Sequence, residues 1–239
     1  MSKKKQNRQA RRSHSRHQDQ QPVSFQLRNI VPLTTNQQRT FDFYENGKNL
    51  VLHGFAGTGK TFISLFLALN EILTPGSRYD KIIIVRSVVP SRDIGFLPGS
   101  IKDKIRVYEE PYSEIVDDLF GRSEYDAMKL RGIIQFTTTS FLRGLTFNNA
   151  IVIVDEIQNM TFAELDTVMT RLGDVSKAVF CGDFRQTDLN DRDRSGLIDF
   201  LKVLKKISSF SYVEFEKEDI VRSGLVRDYI IKRTEQMGM

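Results

Sequence analysis

The chain is poor in the features that would assign it to several broad classes. One cysteine, Cys181, is present in 239 residues, so no intramolecular disulfide can form. No apolar run approaches the roughly 20 residues needed to span a bilayer. The first 17 residues lack both acids and the apolar stretch of a secretory signal. They carry instead Lys3, Lys4, Lys5, Arg8, Arg11, Arg12 and Arg16. Seven of the 35 basic residues therefore lie there, leaving 28 against all 30 acids in the remainder. The net charge of +5 is thus a tail of +7 on a body of −2. With only Met1 and Ala10 as apolar residues, that tail cannot offset its ordering entropy, so residues 1–21 are expected to be a disordered basic tail. Residues 22–34 are expected to be a linker, and 35–239 a single domain. A soluble, cytoplasmic protein without a membrane segment is expected. The tail could meet nucleic-acid phosphates through charge alone, or simply be solvated.

The body does contain Gly54-Phe55-Ala56-Gly57-Thr58-Gly59-Lys60-Thr61, the P-loop pattern G-x-x-x-x-G-K-[ST]. A phosphate chain needs many donors at short range. Glycines at 54, 57 and 59 permit φ > 0 and bring backbone N–H groups close to phosphate oxygens. Lys60 supplies a mobile ammonium for the terminal phosphates, and Thr61 a hydroxyl for the accompanying Mg²⁺. The helix that follows, beginning near Phe62, turns its partly positive N-terminus toward the same anion. Residues 54–62 are the expected nucleotide cradle. A merely connecting glycine turn would leave Lys60 unexplained.

The surroundings suit this motif. Asn49–His53 is a short apolar strand, and Thr61–Leu73 places Phe62, Leu65, Phe66, Leu69 and Leu73 at helical spacing. A helix is expected over Gln37–Tyr44. Nearly continuous apolar runs at 81–86 and 150–155 suit parallel strands covered on both faces. Further strands are expected at 133–136, 178–181 and 212–215. Residues 101–131 should be mostly helical with a break at 121–123. Thr161–Glu164 reads as a capping box opening a helix to Leu172. Helices are also expected over 195–205 and 225–235. Alternating buried strands and helices predict an α/β fold, a three-layer P-loop core with a mostly parallel sheet.

Ile151-Val152-Ile153-Val154-Asp155-Glu156 is a Walker B element. Its apolar run is expected to place it beside the P-loop strand. Asp155 then reaches the Mg²⁺ shell, and Glu156 can polarise a water for attack on the γ-phosphate. A carboxylate directly after the Walker B aspartate fits hydrolysis better than phosphate transfer to a small molecule. No Asn-Lys-x-Asp or Thr-Lys-x-Asp follows to read guanine, which favours ATP over GTP. Phe180–Gln186 is a strand followed by a polar loop, from which Gln186 could sense the γ-phosphate. Cys181 is expected in the core.

With these residues in hand, the chain resembles the PhoH family of P-loop ATPases, related to the first core domain of superfamily 1 helicases. The resemblance runs from about Thr35 to Arg233. It is carried by Gly95–Gly99, by Asp155-Glu156-Ile157-Gln158-Asn159, by Gly182–Leu189, and by Asp219-Ile220-Val221-Arg222. It implies an ATP-hydrolysing, Mg²⁺-dependent protein associated with RNA or single-stranded nucleic acid, assembled as an oligomer such as a hexameric ring. It also implies that Gln37 reads adenine and that Arg222 touches the γ-phosphate. Arg143-Gly144 matches an Arg-Gly pair before Walker B. A lone core leaves the γ-phosphate open on one side, and Arg143 or Arg222 from a neighbouring subunit could close it. Phe55, Ile157 and Leu145 depart from the family's usual proline, alanine and second arginine. Two alternatives stand beside RNA remodelling: a slow ATP-dependent switch and a small-molecule kinase. Phe96, Tyr108, Tyr112 and Phe141 are candidate base-stacking aromatics, and Arg86, Arg92 and Lys102 could line a groove.

Overall fold

The computed structural model describes residues 25–87, 101–183 and 191–237, with backbone alone for 101–104, 191–195 and 237. Among the described residues, six strands form one sheet: β1 (Asn49–Gly54), β2 (Lys81–Arg86), β3 (Ile134–Thr138), β4 (Ala150–Asp155), β5 (Ser176–Gly182) and β6 (Phe210–Phe215). Their order is β3-β2-β4-β5-β1-β6, and every neighbouring pair is parallel. Seven helices accompany them: α1 (Thr35–Glu45), α2 (Lys60–Leu73), α3 (Ile101–Phe120), α4 (Tyr125–Leu130), α5 (Phe162–Met169), α6 (Asp191–Leu204) and α7 (Gly224–Met237). None of them is long and apolar enough to cross a membrane.

The continuous apolar runs sit where both faces are covered, as their composition requires. Every residue of β4 is buried. Side chains alternate along each strand, so Ile151 and Ile153 enter one core layer while Val152 and Val154 enter the other. The first layer also takes apolar residues of α1, α2, α3 and α4; the second takes those of α5 and α6. These are the three layers expected from the sequence. One expectation is corrected: β4 does not lie beside β1, because β5 is inserted between them. Both β4 and β5 are short buried apolar runs, and apolarity does not encode strand order. The insertion brings the end of β5, Gly182-Asp183, between the two motifs.

Part of the expected linker lies on the body. Phe25, Leu27 and Ile30 pack against the first core layer, and the Arg28 N–H donates to the Leu119 carbonyl at 2.9 Å. The Phe25 ring meets Phe120 edge-on at 6.1 Å. The basic residues 1–21 lie outside the described residues.

The capping box on α5 does more than start a helix. Thr161 accepts from the Glu164 N–H, and Glu164 Oε2 accepts from the Thr161 N–H and hydroxyl at 2.9 Å each. The other oxygen, Oε1, accepts from Ser87 Oγ at 2.9 Å and from Thr139 Oγ1 at 2.5 Å. One carboxylate thus ties α5 to the ends of β2 and β3. Burial pushes its pKa up, but the hydrogen bonds from Thr139, Thr161 and Ser87 outweigh this and hold it below the usual glutamate value. A depressed folded pKa gives stability that is present above the unfolded pKa and lost as pH falls through the folded one. Glu164→Gln should therefore cost about 1–2 kcal/mol at pH 7 by urea unfolding. The gap to the wild type should close as pH falls below about 4.

Candidate functional site: a nucleotide cavity at the carboxyl ends of the strands

β1 leads directly into the P-loop, and α2 begins at Lys60. The three loop glycines take the expected positive φ, at 117°, 75° and 84° for Gly54, Gly57 and Gly59. At Gly54 the requirement is also steric. Phe55 N–H donates to the Phe215 carbonyl of β6 at 3.0 Å, and a Cβ on Gly54 would lie 2.0 Å from that oxygen. At Gly57 a Cβ would come within 2.9 Å of the Arg222 side chain, while Val221 N–H donates to the Gly57 carbonyl at 3.0 Å. The loop is pressed between the end of β6 and the segment after it. Lys60 Nζ donates to the carbonyls of Gly54 (3.0 Å) and Phe55 (2.7 Å) and to Thr58 Oγ1 (3.3 Å). Burial lowers its pKa, and Asp183, Asp155 and Glu156 partly offset that by favouring the ammonium.

Asp155 follows Ile151 and Ile153 on the face that α2 and α3 cover. Its Oδ1 accepts from Thr61 Oγ1 at 3.0 Å, and its Oδ2 from Tyr112 Oη on α3 at 2.9 Å. Burial and the neighbouring Glu156 push its pKa up to about 6, against the pull of Tyr112, Thr61 and Arg86. The P-loop and the Walker B strand therefore meet through a direct hydrogen bond, although β5 separates their strands.

Glu156 adopts the left-handed conformation, φ 56° and ψ 42°, which is uncommon for a residue with a Cβ. Its Oε2 accepts from Gln158 Nε2, and Gln158 Oε1 accepts from Asp183 N–H at 3.0 Å. Gln158 is buried and bridges the ends of β4 and β5. Lys60, Thr61, Tyr112, Asp155, Glu156, Gln158 and Asp183 border one cavity of about 640 Å³, which Gly54 and Phe55 do not line. Ala56–Phe62 and Arg222 form one side, Asp155, Glu156, Gln158 and Asp183 the floor, and α3 the opposite wall through Pro111, Tyr112 and Glu114.

The family described as PhoH-like protein matches residues 29–233. This chain belongs to the PhoH-like protein family. A PhoH-like protein of Bacillus subtilis (strain 168) is 36% identical over 178 residues, covering 74% of this chain and 55% of that protein. Protein PhoH of Escherichia coli (strain K12) is 37% identical over 175 residues, covering 72% of this chain and 49% of that protein. The chain spans about half the length of the curated relatives it matches. Among solved structures, a large terminase from a thermophilic bacteriophage aligns with a TM-score of 0.52 at 12% identity, over 83% of this chain and 50% of that one. At that identity the likeness shows the shared fold alone.

On this PhoH-like core the remaining expected residues separate. Arg222 lies against Gly57 of its own P-loop. Arg143 is exposed in the turn after β3 and does not line the cavity. Gln186, Phe96 and Arg92 lie outside the described residues, as do the Gly95–Gly99 element and the side chain of Lys102. Tyr112 is buried, Tyr108 carries the Arg86 guanidinium 5.6 Å above its ring, and Phe141 is exposed. From sequence Tyr112 reads as a core aromatic or a candidate for base stacking, and Gln158 and Asp183 read only as parts of motifs. A signal for Tyr112 existed: it shares a helical stripe with the buried Val116 and Leu119, an apolar setting in which a phenol needs a partner.

Gln37 is buried, with Oε1 accepting from Leu33 N–H at 2.7 Å and Nε2 donating to the Thr58 carbonyl at 3.0 Å. It is a strut between α1 and the P-loop. Gln37→Ala should therefore weaken ATP and GTP binding by similar factors, roughly 5- to 10-fold for a lost buried hydrogen bond. Paired titrations with the two nucleotides check this; a selective loss of ATP would mean that Gln37 reads the base.

Proposed function

We propose that this protein is a Mg²⁺-dependent ATPase that acts on RNA as an oligomer. The observation that carries the ATPase reading is the meeting of Lys60, Thr61, Asp155 and Glu156 in one cavity. The absence of a guanine-reading motif supports ATP as the nucleotide. The donors suit Mg²⁺: Thr61 Oγ1 and Asp155 Oδ1 are hard oxygens 3.0 Å apart. These two oxygens would hold the ion beside the nucleotide phosphates. Among the described residues no group of three or more His, Cys, Asp or Glu side chains could hold a metal alone. When bound, Mg²⁺ would neutralise charge developing on the phosphoryl oxygens.

The protein's own groups have distinct tasks in this reading. The P-loop N–H groups and Lys60 hold the phosphates; Lys60 must exchange its loop carbonyls for phosphate oxygens. Glu156 takes the proton of the attacking water, and Gln158 aims its carboxylate. Arg222, beside Gly57, supplies positive charge at the phosphates. The RNA and oligomer parts rest on what the PhoH-like resemblance implies, and the RNA part also on the +7 tail.

Glu156→Gln should bind ATP with near-wild-type affinity while turnover falls about 10²- to 10⁴-fold, the usual contribution of a general base. Single-turnover hydrolysis beside equilibrium binding checks this, and normal hydrolysis by the variant would overturn the assignment. Single-stranded RNA should raise the wild-type ATPase rate; an unchanged rate would favour a slow nucleotide switch. Gel filtration with ATP at micromolar protein should show an oligomer, and monomer alone would remove the intersubunit role.

A further inference from the structure

We propose that Tyr112 is a positioning residue that fixes the Asp155 carboxylate for its cation, an assignment that rests on the ATPase reading of the cavity. Tyr112 belongs to neither nucleotide motif. It lies midway along α3, is 1% exposed, and packs its ring on Phe136 with centroids 5.6 Å apart. For packing alone phenylalanine would serve. A buried phenol costs desolvation that is recovered only through a hydrogen bond, and a charged acceptor returns most. Here the acceptor is Asp155 Oδ2 at 2.9 Å.

The geometry gives this bond a separate task from the Thr61 bond. Thr61 Oγ1 occupies Oδ1, and Tyr112 occupies Oδ2. Two donors on opposite oxygens fix the plane of the carboxylate. Thr61 is itself a ligand in the proposed reading, so its hydroxyl would be shared between Asp155 Oδ1 and the cation. The Tyr112 bond lies on the other oxygen and can persist. Arg86 adds positive charge beside the same phenol, and Arg86 pairs in register with Asp155 across β2 and β4. Tyr112 also ties the metal-binding carboxylate to α3, whose Pro111, Glu114, Ile115 and Asp118 wall the cavity.

Tyr112→Phe tests this, because it deletes one hydroxyl and keeps the ring. The probe is a fluorescent, non-hydrolysable ATP analogue titrated at rising Mg²⁺, with a parallel titration in EDTA and a thermal melt. The Mg²⁺ concentration for half-maximal binding should rise about 10-fold or more, the usual cost of losing an outer-shell partner. Binding in EDTA should stay within about twofold of wild type, since the P-loop is untouched. Phe136→Leu separates packing from hydrogen bonding: it should lower the melting temperature and leave the Mg²⁺ dependence in place. An unchanged Mg²⁺ dependence in Tyr112→Phe overturns the assignment. So does an equal shift in Phe136→Leu, which would make ring packing the cause. A wild-type protein that binds no nucleotide at any Mg²⁺ concentration overturns the reading of the cavity itself.

Discussion

A carboxylate withdrawn from water at the end of a buried strand must be supplied with donors, and much of this molecule is arranged around that need at Asp155. β4 is covered on both faces, so its last side chain emerges into protein rather than solvent. The period of two sends Asp155 to the face occupied by α2 and α3, and each helix contributes one hydroxyl, Thr61 and Tyr112. Burial and the neighbouring Glu156 push the Asp155 pKa up, to about 6, against the pull of both hydroxyls and of Arg86. The site is left short of positive charge, and a divalent cation is what the proposed reading brings there. Packing, electrostatics and proposed chemistry therefore share one cause.

The phosphate loop is subject to a complementary constraint. Its backbone must hold positive φ with N–H groups free for a ligand, so its carbonyls and flanks have to be held by something else. Gln37 on α1 takes the Thr58 carbonyl, Val221 takes the Gly57 carbonyl, and Lys60 folds onto Gly54 and Phe55. The first two supports come from distant parts of the chain and are themselves joined. Asp219 Oδ2 accepts from Asn36 Nδ2 and from the Glu216 N–H, both at 2.8 Å. Hydrogen bonds from Asn36, Thr34 and Glu216 overcome the upward push of burial and keep the Asp219 pKa low. α1 and the segment after β6 thus form one brace behind the loop. Pre-organisation of this kind lowers the ordering cost that a bound nucleotide must meet.

How much of this was legible in the sequence follows from the range over which each signal acts. Strand ends at 81–86 and 150–155, the Thr161 capping box and the glycine conformations depend on neighbours a few residues away, and they were readable. The position of β5 between β1 and β4 was not, since two buried apolar runs differ in nothing that specifies order. The family resemblance puts Gln37 in the site, but its bonds to Leu33 and Thr58 depend on how α1 docks. Tyr112 was visible as a polar atom in an apolar stripe, yet its partner, 43 positions along the chain, emerges only when α3 lies on β4. Glu156 could be read as a base; its left-handed backbone and its bond from Gln158 could not.

The two candidate arginines are best separated by reach. A cation that stabilises charge on the γ-phosphate must lie within a few ångströms of it, because screening weakens a more distant one. Arg222 lines the cavity of its own chain, and its aliphatic stem lies where a Cβ on Gly57 would touch it. Arg143 does not line that cavity, being exposed in the turn after β3. β3 is an edge strand, separated from the P-loop strand β1 by β2, β4 and β5. On the proposed reading, Arg143 would reach a phosphate only in a neighbouring copy, whereas Arg222 already borders the cavity of its own chain. On the proposed ATPase reading, basal hydrolysis then belongs to each subunit through Arg222, and any dependence of the rate on assembly belongs to Arg143.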